Sequence, residues 1–315
     1  MTEQSTKSPF FPPESTLVIW NPASGTRRSR VRARQTIALL ERDGYKVTQT
    51  QKPGHATEII KKRGPQGVRA LVVVGGDGTL NESIQSLPTY VPVAFFPGGS
   101  VNLFALNLRI PDSPKRWINM LHTGKVISAR NGRCNDLQFH STASVGFDAY
   151  VVSRVPGRLR HTLNKTAFAI SLLVAVFTWR QPVFAVNIDG EDISEKINCI
   201  IVNRGEHYAG RYRVFSGLQP GNEKLHYMIL TGSSRWSHLK HLFGLVFGTL
   251  ARMKTARCGE AKEITIDANP PEFVQCDGEL AGRTPIKFSL ESVRQFVLVE
   301  QQLSRGFQHP VSRQL

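Results

Sequence analysis

The stretch from Leu71 to Glu82, LVVVGGDGTLNE, constrains the fold more than any other part of this chain. Leu71, Val72, Val73 and Val74 form an apolar run in which three residues are β-branched, the pattern of a strand buried on both faces. Gly75, Gly76 and Gly78 then stop it within four positions. Glycine accepts positive φ and lets a ligand come close to the backbone. Thr79 is placed to cap a following helix, with Glu82 three residues on, as in a capping box. A strand, a tight glycine-rich turn and a helix start therefore follow one another. Such a junction binds phosphate, because unpaired N–H groups and the positive end of the helix dipole face the anion. Asp77 is embedded in the turn, and a carboxylate repels bare phosphate. It calls for Mg²⁺ between the two, or for a hydroxyl to be activated. The third glycine of the dinucleotide fingerprint is missing, and no Gly-Lys-Ser/Thr of a P-loop follows. A ligand-free βα turn is the plainer reading of a lone Gly-x-Gly; the density of GGDGT favours phosphate.

The same unit recurs along the first third of the chain. Thr16–Trp20 reads as a strand ending in the turn Asn21-Pro22-Ala23-Ser24-Gly25-Thr26. Arg27, Arg28, Arg30, Arg32 and Arg34 open the next helix, where cations oppose the macrodipole unless an anion sits nearby. Tyr45–Thr50 is a strand followed by the loop Pro53-Gly54-His55-Ala56-Thr57. Val91–Phe96 is another, followed by Pro97-Gly98-Gly99-Ser100-Val101-Asn102-Leu103. Strands alternating with helices predict a parallel sheet, whose ligands bind at the carboxyl ends of its strands. The turns Asn21–Gly25, Gly54–Ala56, Gly75–Thr79 and Gly98–Asn102 should therefore converge on one cleft.

After about Lys125 short β-rich segments take over: Leu137–Thr142, Val183–Asp189, Ile197–Val202, Leu225–Leu230, Glu263–Asp267, Glu272–Cys276, Ile286–Leu290 and Phe296–Val299. Two helices, near Leu163–Arg180 and Ser237–Lys254, interrupt them. Asp189-Gly190 reads as a hairpin turn. The expected organisation is a disordered arm over residues 1–14 and a nucleotide-binding α/β domain over 15–128. A β-rich substrate domain over 129–300, largely antiparallel, follows, then a tail over 301–315 that packs back on the first domain.

The 315 residues carry a net charge of +16, which implies a polyanionic partner. Cys134, Cys199, Cys258 and Cys276 show neither C-x-x-C nor zinc spacing and read as reduced core thiols. Met1 to Glu14 contain no apolar leader segment, so a cytoplasmic location is expected. The longest apolar run, Ala167–Thr178, is about a dozen residues, short of the roughly 20 that span a bilayer. Asp277-Gly278-Glu279 lies in a β context whose alternation puts both carboxylates on one side of the chain, where each raises the other's pKa. The plain alternative is a hairpin turn with two solvated acids.

Taken in order, the motifs resemble a known family. Asn21-Pro22-Ala23-Ser24-Gly25, Gly75 to Glu82, Pro97 to Ala105, Val145-Gly146-Phe147-Asp148-Ala149 and Cys276-Asp277-Gly278-Glu279 look like the diacylglycerol kinase catalytic-domain family. Soluble bacterial lipid kinases and the sphingosine and ceramide kinases share this layout. GGDGT alone is common to NAD kinases. The resemblance implies an N-terminal α/β domain with a parallel sheet and Gly-rich phosphate loops, a C-terminal mainly antiparallel β-sandwich, and an active site between them. It implies ATP-dependent phosphoryl transfer to a lipid hydroxyl with Mg²⁺. The nucleotide would meet Asn21, Ser24, Gly25, Thr50, Gly54, Gly75, Gly76, Asp77, Gly78, Thr79, Leu80, Asn81, Glu82, Gly98, Gly99, Ser100 and Asn102. Asp277, Glu279 and Asp77 would be catalytic, Asp77 also holding metal.

Asn222 stands where the family carries an aspartate that helps hold a structural Mg²⁺. It keeps a carbonyl oxygen but loses the charge, which weakens a site for a hard cation. The implied partners are a lipid substrate and an anionic membrane surface met peripherally, and a homodimer is compatible with the sequence. The apolar helix from Lys165 and the helix near Leu242–Leu250, with basic flanks at Arg154, Arg158, Arg160, Arg235, Lys240, Arg252, Lys254 and Arg257, fit interfacial docking. No interleaved aromatic stripe or zinc finger points to nucleic acid. The competing readings are an NAD-kinase-like soluble kinase and a basic membrane-binding module without catalysis.

Overall fold

A computed structural model of the chain describes residues 10–64, 67–155, 165–210, 212–215, 218 and 222–301. The chain forms two compact units. One contains the described residues up to Arg130 and from Val293 onward, and the other contains those of 131–218 and 222–292.

The first unit is built on strands β1 (Thr16–Trp20), β2 (Val47–Gln49), β3 (Ala70–Gly75), β4 (Val93–Pro97) and β5 (Lys125–Ala129), joined by a strand from the far end of the chain, Gln295–Val299 (β20). The sheet order is β2-β1-β3-β4-β20-β5. The pairs from β2 through β20 are parallel, and β20 meets β5 antiparallel. Leu71, Val72, Val73 and Val74 are fully buried, as a strand covered on both faces requires. Each such side chain stabilises the fold by roughly 1.5–3 kcal/mol relative to exposure. Helices α1 (Arg27–Arg42), α2 (His55–Arg63), α3 (Asp77–Gln85), α4 (Leu103–Asn107) and α5 (Pro114–Thr123) connect the strands. Thr26 caps α1, accepting from Ser29 N–H, and Ala33, Ile37 and Leu40 form its buried stripe.

Three sequence expectations change here. Phe296–Val299 belongs to the first sheet rather than to a second domain running to 300, because β20 fills the gap between β4 and β5. The stretch before β1 is not a free arm throughout. Phe11 is completely buried in the first core, and its carbonyl accepts from the Tyr45 hydroxyl at 2.8 Å. Residues 1–9 of the arm, the tail from 302, and Arg158 and Arg160 lie outside the described residues. Finally, α3 begins at Asp77 with Gly76 as its cap, so Thr79 lies inside the helix and does not cap it.

The second unit is a β-sandwich. Its strands are β6 (Gly132–Cys134), β7 (Leu137–Phe139), β8 (Thr142–Gly146), β9 (Val183–Ile188), β10 (Glu191–Ile193), β11 (Ile197–Asn203), the short pair β12 (His207–Tyr208) and β13 (Tyr212–Arg213), β14 (Leu225–Thr231), β15 (Ala256–Ala261), β16 (Glu263–Asn269), β17 (Phe273–Cys276), β18 (Glu279–Arg283) and β19 (Ile286–Leu290). One sheet runs β10-β9-β16-β19-β6-β7 and the other β15-β14-β11-β8-β17-β18, all antiparallel. Ile264, Ile266, Phe139 and Phe288 of the first interleave with Val145, Ile200, Ile229 and Val274 of the second in one core. Asp189 and Gly190, both at positive φ, make the expected hairpin turn between β9 and β10.

The second sheet's other face carries α6 (Phe147–Arg154), α7 (Lys165–Thr178) and α8 (Arg235–Val246). The last helix is shorter than the sequence pattern implied: Gly248, at φ 68°, ends it and a 3₁₀ turn at Leu250–Arg252 follows. Cys258 is exposed, unlike the other three cysteines, so it is not a core thiol.

Beneath α8 lies a buried polar cluster. His241 faces Asn198 at 3.2 Å through Nδ1 and Thr255 at 2.9 Å through Nε2, and His238 stacks on Phe147 at 4.4 Å. Burial, and then His238, push the His241 pKa down to about 4.

Two outcomes follow from this packing. Phe11→Ala should lower the unfolding free energy of the first unit by about 3 kcal/mol, read by denaturant titration. His241 titrates lower when folded than its ordinary 6.5, so the unfolded chain binds more protons between the two values. The stability it contributes is present above about 6.5 and is lost as the pH falls toward about 4. Melting midpoints of the second unit should fall over that window, less steeply in His241→Gln.

Candidate active site

The turns after β1, β3 and β4, three of the four expected to converge, pack against one another, and β2, parallel to β1, ends at the same edge of the sheet. β1, β3 and β4 lie side by side and parallel, so their carboxyl ends emerge together. There the backbones touch. Gly98 N–H donates to Gly75 O at 2.7 Å. A Cβ on Gly99 would stand 2.6 Å from the Gly76 Cα, and one on Gly25, which sits at φ 76°, would strike Gly98 O. Only residues without side chains allow turns to meet this closely. Side chains tie the ring: Asn21 Nδ2 donates to Thr79 Oγ1 at 2.9 Å, and Asn102, left-handed at φ 58°, accepts from Gly99 N–H at 2.9 Å.

Asp77 is the first residue of α3, and its carboxylate reaches across to the last turn. Oδ2 accepts from Leu103 N–H at 2.9 Å and Oδ1 from Phe104 N–H at 3.3 Å. The carboxylate thus holds the Gly98–Asn102 turn against the GGDGT turn. It is half-buried, and carboxylate oxygens are the ligands a hard divalent cation takes.

The remaining candidates divide. Ser24 and Gly25 line the ring, and Ser100 is exposed on its rim. Thr50 follows β2, its N–H donating to Trp20 O at 2.8 Å. Gly54, at φ 80°, caps the start of α2, and a Cβ built there would meet open space. Leu80 is fully buried and packs the core. Asn81 bonds Gln85, and the Glu82 carbonyl accepts from Thr57 Oγ1 at 3.1 Å, joining α2 to α3. Arg27, Arg28, Arg30 and Arg34 are exposed, whereas Arg32 pairs with Asp112 at 2.7 Å.

In the second unit Asp277 and Gly278 are themselves a two-residue turn, at φ 51° and 85°, joining β17 to β18. Strand alternation therefore does not relate Asp277 to Glu279: Asp277 is in the turn and Glu279 opens the return strand. The Asp277 carboxylate accepts three backbone N–H groups of 140–142, at 2.7 Å from His140, 2.9 Å from Ser141 and 3.0 Å from Thr142. Burial pushes its pKa up and these bonds oppose that shift, so the cause is desolvation rather than Glu279.

A buried network supports the turn from below, and motif reading did not assign it a role. Gln275 Oε1 accepts Gly278 N–H at 2.9 Å, and its Nε2 donates to Ser144 Oγ at 2.9 Å and Asp148 Oδ2 at 3.3 Å. Ser144 and Tyr208 hydroxyls also bond Asp148, whose pKa burial drives up. Gln275 and Ser144 are cross-strand partners separated by 131 residues in sequence, which leaves no local pattern to reveal them.

The Asn222 position does not fit a divalent cation. Asn222 Nδ2 and His226 Nε2 are 2.9 Å apart, and the Arg204 guanidinium donates to Asn222 O at 2.9 Å and Lys224 O at 2.6 Å. A fixed guanidinium charge therefore sits on the backbone carbonyls beside the Asn222 side chain, where it repels a divalent cation. The second unit should accordingly melt at the same temperature in EDTA and in Mg²⁺ without nucleotide. Arg204→Ala should lower that midpoint, because two carbonyls lose their donors.

Residues 15–134 match the diacylglycerol kinase catalytic domain, and residues 141–298 match the YegS C-terminal NAD kinase beta sandwich-like domain. A diacylglycerol kinase of Staphylococcus carnosus (strain TM300) is 23% identical over 280 residues, spanning 86% of this chain and 90% of its own length. The crystal structure of a diacylglycerol kinase from Bacillus anthracis str. Sterne superposes with a TM-score of 0.68 at 18% identity, over 92% of this chain and 98% of that one. An NAD kinase of Archaeoglobus fulgidus in complex with ATP superposes with a TM-score of 0.51 at 15% identity, over 92% and 96%. The two structures share the fold, which by itself does not specify an acceptor. With one domain match on each unit, the chain belongs to the diacylglycerol kinase catalytic-domain family, phosphotransferases that use an alcohol group as acceptor.

Proposed function

We propose that this protein is an ATP-dependent lipid kinase that transfers the γ-phosphoryl group to a lipid hydroxyl, of diacylglycerol or a ceramide or sphingoid type, at a membrane surface. The observation that carries the reading is the ring of glycine backbones at Gly25, Gly75–Gly76 and Gly98–Gly99. The Gly98 and Gly99 N–H groups are spent inside the ring. What the close-packed turns offer a polyphosphate is a floor of bare backbone with no side chain in its way, at the edge where α3 starts and its dipole is positive. Phosphoryl transfer asks mainly for such positioning and charge stabilisation. Asp77 would hold Mg²⁺, which when bound neutralises charge on the phosphates. The Asp277–Glu279 hairpin would accept the alcohol's proton, a role that typically contributes 10²–10⁴ in rate. Burial helps, by raising the basicity of Asp277 against the three N–H donors that lower it.

The membrane part of the reading draws on α7 and α8. Ile170, Leu173 and Phe177 of α7 and Trp236, Phe243 and Val246 of α8 are exposed, Trp236 by 73%. Arg235 lies 5.6 Å over the Phe177 ring, and Lys240, Arg252 and Lys254 are exposed nearby in sequence. Apolar side chains collected on helices and edged by cations suit an anionic bilayer surface. No helix among the described residues is long and apolar enough to cross a membrane.

The test is a labelled-ATP assay on mixed-lipid vesicles and on NAD without vesicles. Wild type should label lipid and not NAD. Asp77→Ala should abolish labelling, and Asp277→Asn should reduce it by about 10²–10⁴. Phe177→Ser/Trp236→Ser/Phe243→Ser should keep turnover on detergent-dispersed acceptor but lose it on vesicles. Labelled NAD with unlabelled lipid would reverse the acceptor reading.

A further inference from the structure

A cavity of about 460 Å³ lies where α6, the end of α7 and the β17–β18 hairpin meet. It is separate from the Asp277 turn at the hairpin's other end, and three of its lining residues are Arg154, Arg180 and Arg283. All three are exposed, and among the described residues none forms an ion pair with a carboxylate. Two of the arginines are held in place by rings. Arg283 stacks 3.9 Å above Phe273 and donates to Pro271 O at 2.9 Å, while Arg154 lies 4.7 Å over Tyr150 and bonds its hydroxyl. The rings themselves are neighbours at 6.4 Å. Stacking and a backbone acceptor fix a guanidinium without neutralising it, which leaves its fork of donors for an anion.

The cavity's one carboxylate is already engaged. Glu272 is buried, with Oε2 accepting Trp179 Nε1–H at 2.7 Å and Oε1 accepting Phe273 N–H at 2.7 Å. Three arginines against one committed carboxylate leave the cavity electropositive. The Tyr150 and Thr178 hydroxyls, 3.1 Å apart on its wall, are committed, Tyr150 to Thr178 and Thr178 to Val174 O, so the donors the cavity offers are the guanidinium groups.

We propose that this cavity binds a phosphate group, either on an anionic phospholipid at the bilayer surface or on a free phosphate ion, through the guanidinium groups of Arg154, Arg180 and Arg283. Planar guanidinium forks match phosphate oxygens in pairs, which makes arginine the residue of choice for such groups. The lipid source rests on the membrane reading above. Thr178 on the cavity wall directly follows the exposed Phe177, so a bilayer meeting the α7 face would bring headgroups to the cavity's depth. The phosphate site itself stands without that reading.

The experiment uses the full chain without ATP or acceptor, so a failed kinase assay and a failed site remain distinct. Binding is measured to phosphatidylcholine vesicles, to the same vesicles doped with phosphatidic acid, and to inorganic phosphate followed by Trp fluorescence. The variant R154Q/R180Q/R283Q is compared with K46Q/K61Q/K62Q, which removes equal charge from the other folding unit. The pocket variant should lose at least about tenfold in affinity for the doped vesicles and the charge-matched one less than about threefold, given about 1 kcal/mol per basic residue at an anionic surface. Saturable inorganic phosphate binding lost only in the pocket variant, with equal vesicle binding, would keep the site and assign it to the free ion. Equal losses on doped vesicles in the two variants, with no saturable phosphate binding, would overturn it. R154K/R180K/R283K should bind more weakly than wild type although its charge is intact. If the triple variants melt early, Arg180→Gln, which disturbs no ring or ion pair, carries the same comparison.

Discussion

The close approach of glycine backbones at the ends of β1, β3 and β4 is the constraint on which the first unit depends. Gly99 lies against Gly76, and Gly25 against Gly98, at distances a single methyl group would prevent. The parallel order of the strands brings the turns together, and the missing side chains let them close. The positive end of α3 opens at the same end of the sheet, where an anion is the natural complement. The same packing explains why the turns are tied by Asn21, Asn102 and Asp77, short polar side chains that bond backbone or hydroxyl without filling the space.

The acidic residues first read as chemistry are also structural. Asp77 accepts two N–H groups at the start of α4, and Asp277 accepts three from 140–142. A carboxylate held by several backbone N–H groups is fixed in position before any ligand arrives, which is what preorganisation requires. Asp148, Ser144 and Gln275 extend this to the floor of the hairpin, so that the position of the Asp277–Gly278 turn is set from the sandwich interior.

Local features were legible in the chain. The apolar run and glycines of 71–78 announced strand and turn, and Asp189-Gly190 announced a hairpin. The Asp-Gly signal at 277–278 supported two readings, strand alternation and a hairpin turn, and the turn is what forms, at positive φ where alternation does not hold. Thr79 satisfied a capping pattern, yet its hydroxyl is taken by Asn21, 58 residues away. Leu80 sat in the phosphate motif but faces the core, because a helix that starts at Asp77 turns that position inward. Arg204, whose guanidinium fills the Asn222 position, follows a strand with no pattern to distinguish it. The pairings of Thr79 with Asn21, Ser144 with Gln275 and Arg204 with Asn222 escaped the sequence because each joins residues distant along the chain.

The strand β20 has an implication for biosynthesis. It lies between β4 and β5, so the first sheet stays divided until residues 295–299 leave the ribosome. The sandwich strands β6 to β19 are all translated before that moment. An N-terminal unit ordinarily folds first during synthesis. Here the first sheet cannot be completed, the flanks of β4 and β5 staying unmatched, until the sandwich encoded inside it has been translated, and a chain truncated before Gln295 keeps every sandwich strand while leaving that sheet open.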